Sequence, residues 1–176
     1  MDPAYVFDLI THTFLNGATG FSTYVYRDFD DMADYLNMAR AIALLAPHED
    51  VIVDGELAFD DIGDVDNAVV SAMQLNGEYL IAVTPRDPAK PVAFTVHAEQ
   101  SSRPHTLYDL RHGTQQLHES GTVQVTAELA EGTVYRLVPG LPYSIYLPLV
   151  AVACQPSPHS NPSLNDLLHD FRHYPT

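Results

Sequence analysis

Apolar residues near the N-terminus recur at helical spacing. Val6, Leu9, Ile10 and Phe14 make one stripe, which predicts a helix over residues 4–15. Pro3 suits a first helical position, and Asn16-Gly17 supplies a C-terminal stop. The pattern then changes to Phe21-Ser22-Thr23-Tyr24-Val25-Tyr26. This β-branched and aromatic run, preceded by glycines, reads as a buried strand. The charged exit Arg27-Asp28-Phe29-Asp30-Asp31 leads into a second amphipathic helix. Its stripe of Met32, Tyr35, Leu36, Ala39, Ile42, Ala43 and Ala46 is the kind that packs on a sheet, and Pro47 ends it near Ala46.

From Asp50 onward the period becomes that of antiparallel β-structure. Val51-Ile52-Val53 reads as a short strand, followed by a turn through Asp54-Gly55, and residues 59–67 read as an acidic connection. Residues 69–75 and 78–84 flank Asn76-Gly77, a dipeptide that accepts the positive φ angles of a two-residue hairpin turn. Further strands are expected over residues 91–98, 106–110, 115–119, 122–129 and 133–138. Seven or eight short strands with turns between them imply an antiparallel sandwich. Residues 156–162 are rich in Pro and Ser, and residues 163–173 have the spacing of one short helix.

The fold class is therefore α+β: a helix–strand–helix unit over residues 1–50, an antiparallel β-sandwich over residues 51–140 and a tail over residues 141–176. No internal repeat is evident.

Charge narrows the partners. The chain carries 23 acidic against eight basic side chains, a net charge of −15, and 14 of the acidic residues lie within residues 1–66. Such a field repels nucleic-acid phosphates and anionic membrane surfaces, whereas a neutral polyol such as a sugar is indifferent to it. The single Cys154 excludes an intrachain disulfide or a cysteine metal cluster. Met1-Asp2-Pro3-Ala4 has no basic or apolar leader character, so a signal peptide is not expected. No apolar run reaches the ~20 residues needed to span a bilayer.

The exit of the strand over residues 21–26 is the best candidate site. In parallel α/β folds, ligands meet the C-terminal ends of strands. Tyr24 and Tyr26 share one face, with Arg27 and Asp28 following at the rim. Aromatic rings beside carboxylates suit a sugar, the rings covering C–H faces and the acid accepting hydroxyl hydrogen bonds. The competing reading is structural: Tyr24 fills a core, Asp30 or Asp31 caps the helix, and Arg27 pairs locally. The acidic run over residues 60–67 does not match a calcium loop, because its glycine is misplaced and the closing glutamate is absent. None of the nine histidines adjoins a cysteine ligand pattern, so no metal site or other cofactor is expected. Serine-nucleophile and phosphate-loop motifs are also absent.

Residues 17–50 resemble the end of a TIM-barrel glycoside hydrolase. Asn16-Gly17-Ala18-Thr19-Gly20-Phe21 is similar to the lead into the last barrel strand. Tyr26-Arg27-Asp28-Phe29-Asp30-Asp31-Met32 and the Leu-Leu-Ala-Pro-His-Glu-Asp run ending at Asp50 are similar to the loop, last helix and exit. Thr106-Leu107-Tyr108-Asp109-Leu110-Arg111-His112-Gly113 and Gly132-Thr133-Val134-Tyr135-Arg136-Leu137 resemble elements of the C-terminal β-sandwich that often follows such barrels. The resemblance implies that both catalytic carboxylates belong to barrel strands outside this sequence, so no catalytic residue is carried onto it. Tyr24, Tyr26, Arg27 and Asp28 are the implied substrate contacts.

The resulting expectation is a C-terminal fragment of a carbohydrate-active hydrolase, inactive alone, whose β-domain supports the barrel. The alternative is a stand-alone β-sandwich binding or interaction module. The two differ in one observable: an orphan barrel unit exposes a large apolar face, whereas a self-contained module buries it.

Overall fold

The computed structural model describes residues 3–20, 32–98 and 103–140, all within one compact unit spanning Met1–Pro142. The predicted strand over residues 21–26 and the tail over residues 141–176 lie outside the described residues.

Helix α1 covers Pro3–Leu15, as its stripe and flanking residues require. It ends in a paired-bond cap: Gly17 N–H donates to the Phe14 carbonyl at 2.9 Å and Ala18 N–H to Thr13 at 3.3 Å. Gly17 sits at φ +87°, where a side chain would be strained. Helix α2 is Met32–Leu45, followed by a 3-10 turn over Ala46–His48 and a short helix α3 over Glu49–Asp54.

Helix α3 corrects the strand expected at Val51-Ile52-Val53. Those side chains favour a strand locally, but Glu49 and Asp50 place negative charge in the first helical turn, where the helix dipole favours it. Val51 is then buried with the helical cluster rather than on a strand pleat. Tertiary burial overrides the local preference.

Nine strands follow among the described residues: β1 Glu56–Leu57, β2 Ile62–Asp66, β3 Ala68–Leu75, β4 Glu78–Pro85, β5 Val92–His97, β6 His105–Asp109, β7 Thr114–His118, β8 Thr122–Ala127 and β9 Thr133–Pro139. The larger sheet has the order β1-β3-β4-β9-β6-β7 and the smaller β2-β5-β8. All pairings are antiparallel. The β3–β4 hairpin turns at Asn76 and Gly77, both at positive φ, as the dipeptide predicts.

The residues expected to be an acidic connection instead form a 3-10 turn, Phe59–Asp61, and strand β2 on the edge of the smaller sheet. Its register slips between Gly63 and Asp66, with Asp64 at φ +50°. Backbone pairing with β5, rather than side-chain propensity, makes this a strand. Its outward acids guard the edge against further pairing.

Two cores hold the layers together. Tyr79, Ile81 and Val83 of β4 and Leu137 of β9 face Phe94, Val96 and Val123 between the sheets. On the opposite face of the larger sheet, Leu80, Ala82 and Val134 meet Val6, Phe7, Ile10 and Leu15 of α1. Strand β4 is consequently buried on both faces, which explains its uninterrupted Tyr79-Leu80-Ile81-Ala82-Val83 run.

Candidate functional site

Tyr24, Tyr26, Arg27 and Asp28 lie outside the described residues, between the end of α1 and the start of α2. The described helices α1 and α2 flank that segment in sequence.

Helix α1 buries Val6, Phe7, Ile10 and Leu15, while Leu9 of the predicted stripe is exposed. His12 reaches the larger sheet and bridges two strands, with Nδ1 at 2.7 Å from Ser71 Oγ and Nε2 at 3.0 Å from Thr84 Oγ1. The β6–β7 turn adds a second hold. Arg111 lies 4.4 Å over the Phe7 ring, pairs with Glu131 at 2.7 Å and donates to the Gly132 carbonyl. Sequence spacing could not reveal these contacts, because their partners are distant in the chain.

Helix α2 is oriented opposite to expectation. Asp34, Asn37, Ala41 and Leu45 are buried, while Met32 is 80% exposed and Tyr35, Leu36 and Ile42 are also exposed. The apolar stripe read from the sequence therefore faces away from the sheet. It continues into a depression of ≈ 260 Å³ lined by Phe14, Ile42, Leu45, Ala46, Ile52 and Val53 together with Thr19 and Glu49. A contiguous apolar surface of this kind marks a contact site in a folded protein. Tyr35 and Leu36 are each about half exposed.

A polar cluster organises the end of the sandwich. Asp109 is buried and accepts from Thr133 Oγ1 at 2.7 Å, from the Arg111 and His112 backbone N–H groups at 3.0 Å each, and from His112 Nδ1 at 2.9 Å. The quoted Asp-Leu-Arg-His-Gly segment is thus a turn whose first side chain satisfies its own backbone. Beside it, burial, and secondarily the Asp109 charge, push the Tyr135 phenol up to about 12. Both line a ≈ 370 Å³ cleft with His112, Gln116, Thr126 and Glu128. Because both Asp109 oxygens are committed to donors, this cluster holds a turn rather than supplying a general acid.

Among the described residues no group of three or more His, Cys, Asp or Glu side chains converges as a cation cage. No helix among them is long and apolar enough to cross a membrane.

No family model matches the chain, and no curated protein matches it in sequence. Its fold is similar to part of the solved α-amylase of Geobacillus thermoleovorans, complexed with acarbose. The TM-score is 0.50 at 13% identity, covering 77% of this chain and 33% of that one. A solved Anoxybacillus α-amylase, described as giving insight into a new glycosyl hydrolase subclass, matches at TM-score 0.49 and 13% identity, over 79% and 33% of the two chains. The chain thus spans about a third of the length of each of these enzymes. Its two-sheet α+β fold is similar to part of that Geobacillus α-amylase chain.

Proposed function

We propose that this chain is the C-terminal part of a carbohydrate-active glycoside hydrolase. Its helices complete a (β/α) barrel, and its two-sheet domain supports that barrel without taking part in catalysis. The observation that carries the reading is the outward apolar face of α2, with Met32, Tyr35, Leu36 and Ile42 exposed. A self-contained binding module would turn that stripe inward, whereas a barrel helix presents it to neighbouring units. The anchoring of α1 through His12 and Arg111 fits a support role, since it fixes the helical layer rigidly to the larger sheet.

In this reading Tyr24, Tyr26, Arg27 and Asp28 edge the sugar pocket, and the acid/base and nucleophile carboxylates come from upstream barrel strands. The two must flank one glycosidic bond at a defined separation. The partner is a carbohydrate, engaged through the whole enzyme.

The test compares hydrolysis of aryl glycosides by this chain and by the protein that includes the in-frame upstream sequence. Activity is expected only in the longer protein. There, Asp28→Ala should lower kcat/KM by about 1–2 kcal/mol, the worth of a charge-assisted hydrogen bond, with little change in thermal stability. Hydrolysis by the short chain, abolished by Asp28→Asn, would instead place the catalytic strand here.

A further inference from the structure

We propose that His105 and His118 form a binding site for one divalent transition-metal ion at the end of the sandwich. The two residues are direct cross-strand partners in the β6–β7 pair. Opposite residues of an antiparallel pair point to the same face, with Cβ atoms about 4.5–5.5 Å apart. Along β6, Leu107 belongs to the core between the sheets, and by alternation His105 points the same way. His105 is fully buried, and His118 is half-buried on the edge strand of the larger sheet.

The hydrogen bonds fix what each ring offers. His105 Nδ1 lies 2.9 Å from the Arg103 carbonyl oxygen. A carbonyl can only accept, so Nδ1 bears a proton, and in a neutral ring Nε2 is then the nitrogen with the lone pair. That Nε2 is buried and has no hydrogen-bond partner among the described residues, and the same is true of His118 Nε2. The two rings therefore do not bond each other. Two unpaired imidazole nitrogens at facing positions are costly unless something fills the gap.

A backbone carbonyl holding Nδ1–H so that Nε2 points at a ligand is the second-sphere arrangement that orients metal-binding histidines. Neutral imidazole selects borderline metals such as Cu(II), Ni(II) and Zn(II) over calcium or magnesium. With two protein ligands, the remaining positions fall to water, so binding is exchangeable and Cu(II) should be favoured over Zn(II).

The experiment titrates the metal-stripped full chain with Cu(II), Ni(II) and Zn(II) by calorimetry, and follows the thermal midpoint and the Cu(II) electron paramagnetic spectrum. His118→Gln is the main variant because the side chain is only half-buried. His97→Gln, an exposed strand histidine, is the control for background binding by the other histidines. One equivalent should bind the wild-type chain and His97→Gln, raise the midpoint and show coupling to two nitrogens. In His118→Gln the affinity should fall at least tenfold, with the midpoint shift lost. Equal binding by wild type and His118→Gln would overturn the site. So would the absence of any metal-dependent shift in the wild-type chain, which would leave a bridging water as the partner of both rings.

Discussion

His12 of α1 and Ser71 of β3 stand 59 positions apart in sequence, yet their ring nitrogen and hydroxyl oxygen are 2.7 Å apart. The other ring nitrogen meets Thr84 of the adjacent strand at 3.0 Å. A neutral imidazole has one donor and one acceptor, so the two hydroxyls must play opposite roles toward it. One side chain thereby fixes both the height and the rotation of α1 on the sheet.

Replacing that side chain with an apolar one should be costly. His12→Leu leaves the buried Ser71 hydroxyl and the half-buried Thr84 hydroxyl without this partner. The expected loss is about 2–3 kcal/mol, the sum of two unsatisfied polar groups. Urea unfolding of the two proteins, with the midpoint shifted and the slope unchanged, checks it.

Stability should also fall with acid. Burial lowers the pKa of His12, and burial, then Arg136, lower that of His48, both from a usual 6.5. The native state therefore resists protonation while the unfolded chain accepts it. The stabilisation is complete above pH 6.5, where both states are neutral, and is lost as pH drops below it. Thermal midpoints should decline between pH 7.5 and 5.5, and His12→Gln should flatten that slope in part. A midpoint that rises on acidification would reverse the assignment.

Asp109 should behave as the linchpin of its turn. Removing its carboxylate strands the buried Thr133 hydroxyl and two part-buried backbone N–H groups. Asp109→Ala is expected to cost about 2–4 kcal/mol, and Thr133→Val about 1 kcal/mol. In the Asp109→Ala protein the Tyr135 phenol should still ionise above its ordinary value, because burial is the larger cause of its shift. Ultraviolet titration of the tyrosinate reads this directly.

Gly132 is required by close approach. A Cβ there would lie 2.0 Å from Asp8 Oδ1 and 2.8 Å from Thr84 Oγ1. Gly132→Ala should destabilise by about 1–3 kcal/mol through overpacking. The effect should shrink in the Asp8→Ala background, since the obstructing carboxylate is then gone. A double-mutant cycle measures that coupling.

The outward face of α2 should be nearly silent for folding. Leu36→Glu and Ile42→Lys remove exposed apolar area, so unfolding free energies should change by less than about 0.5 kcal/mol. Binding of a hydrophobic fluorescent dye by the isolated chain should nonetheless decrease, because these side chains form its apolar surface.

Several features were legible in the residues alone because they depend on nearby backbone. Pro3 and Gly17 set the ends of α1, Asn76-Gly77 placed the hairpin turn, and alternation located β5, β8 and β9. Each rests on a φ angle or a two-residue period, which the chain carries wherever it folds. The fold class followed from that pattern. The candidate pocket residues Tyr24, Tyr26, Arg27 and Asp28 were chosen by the same local logic and lie on residues outside the described structure.

Only the tertiary structure decided the rest. Val51-Ile52-Val53 became helical because Val51 could be buried against the sheet, and Ile62–Asp66 became a strand because β5 offered a ladder. The apolar stripe of α2 turned outward although its spacing matched an inward one. His12 with Ser71, Asp109 with Thr133, and His105 with His118 are all products of register and layer stacking. Local preferences differ by at most ~1 kcal/mol per residue, whereas which face is buried, and against what, is settled by contacts between segments far apart in the chain.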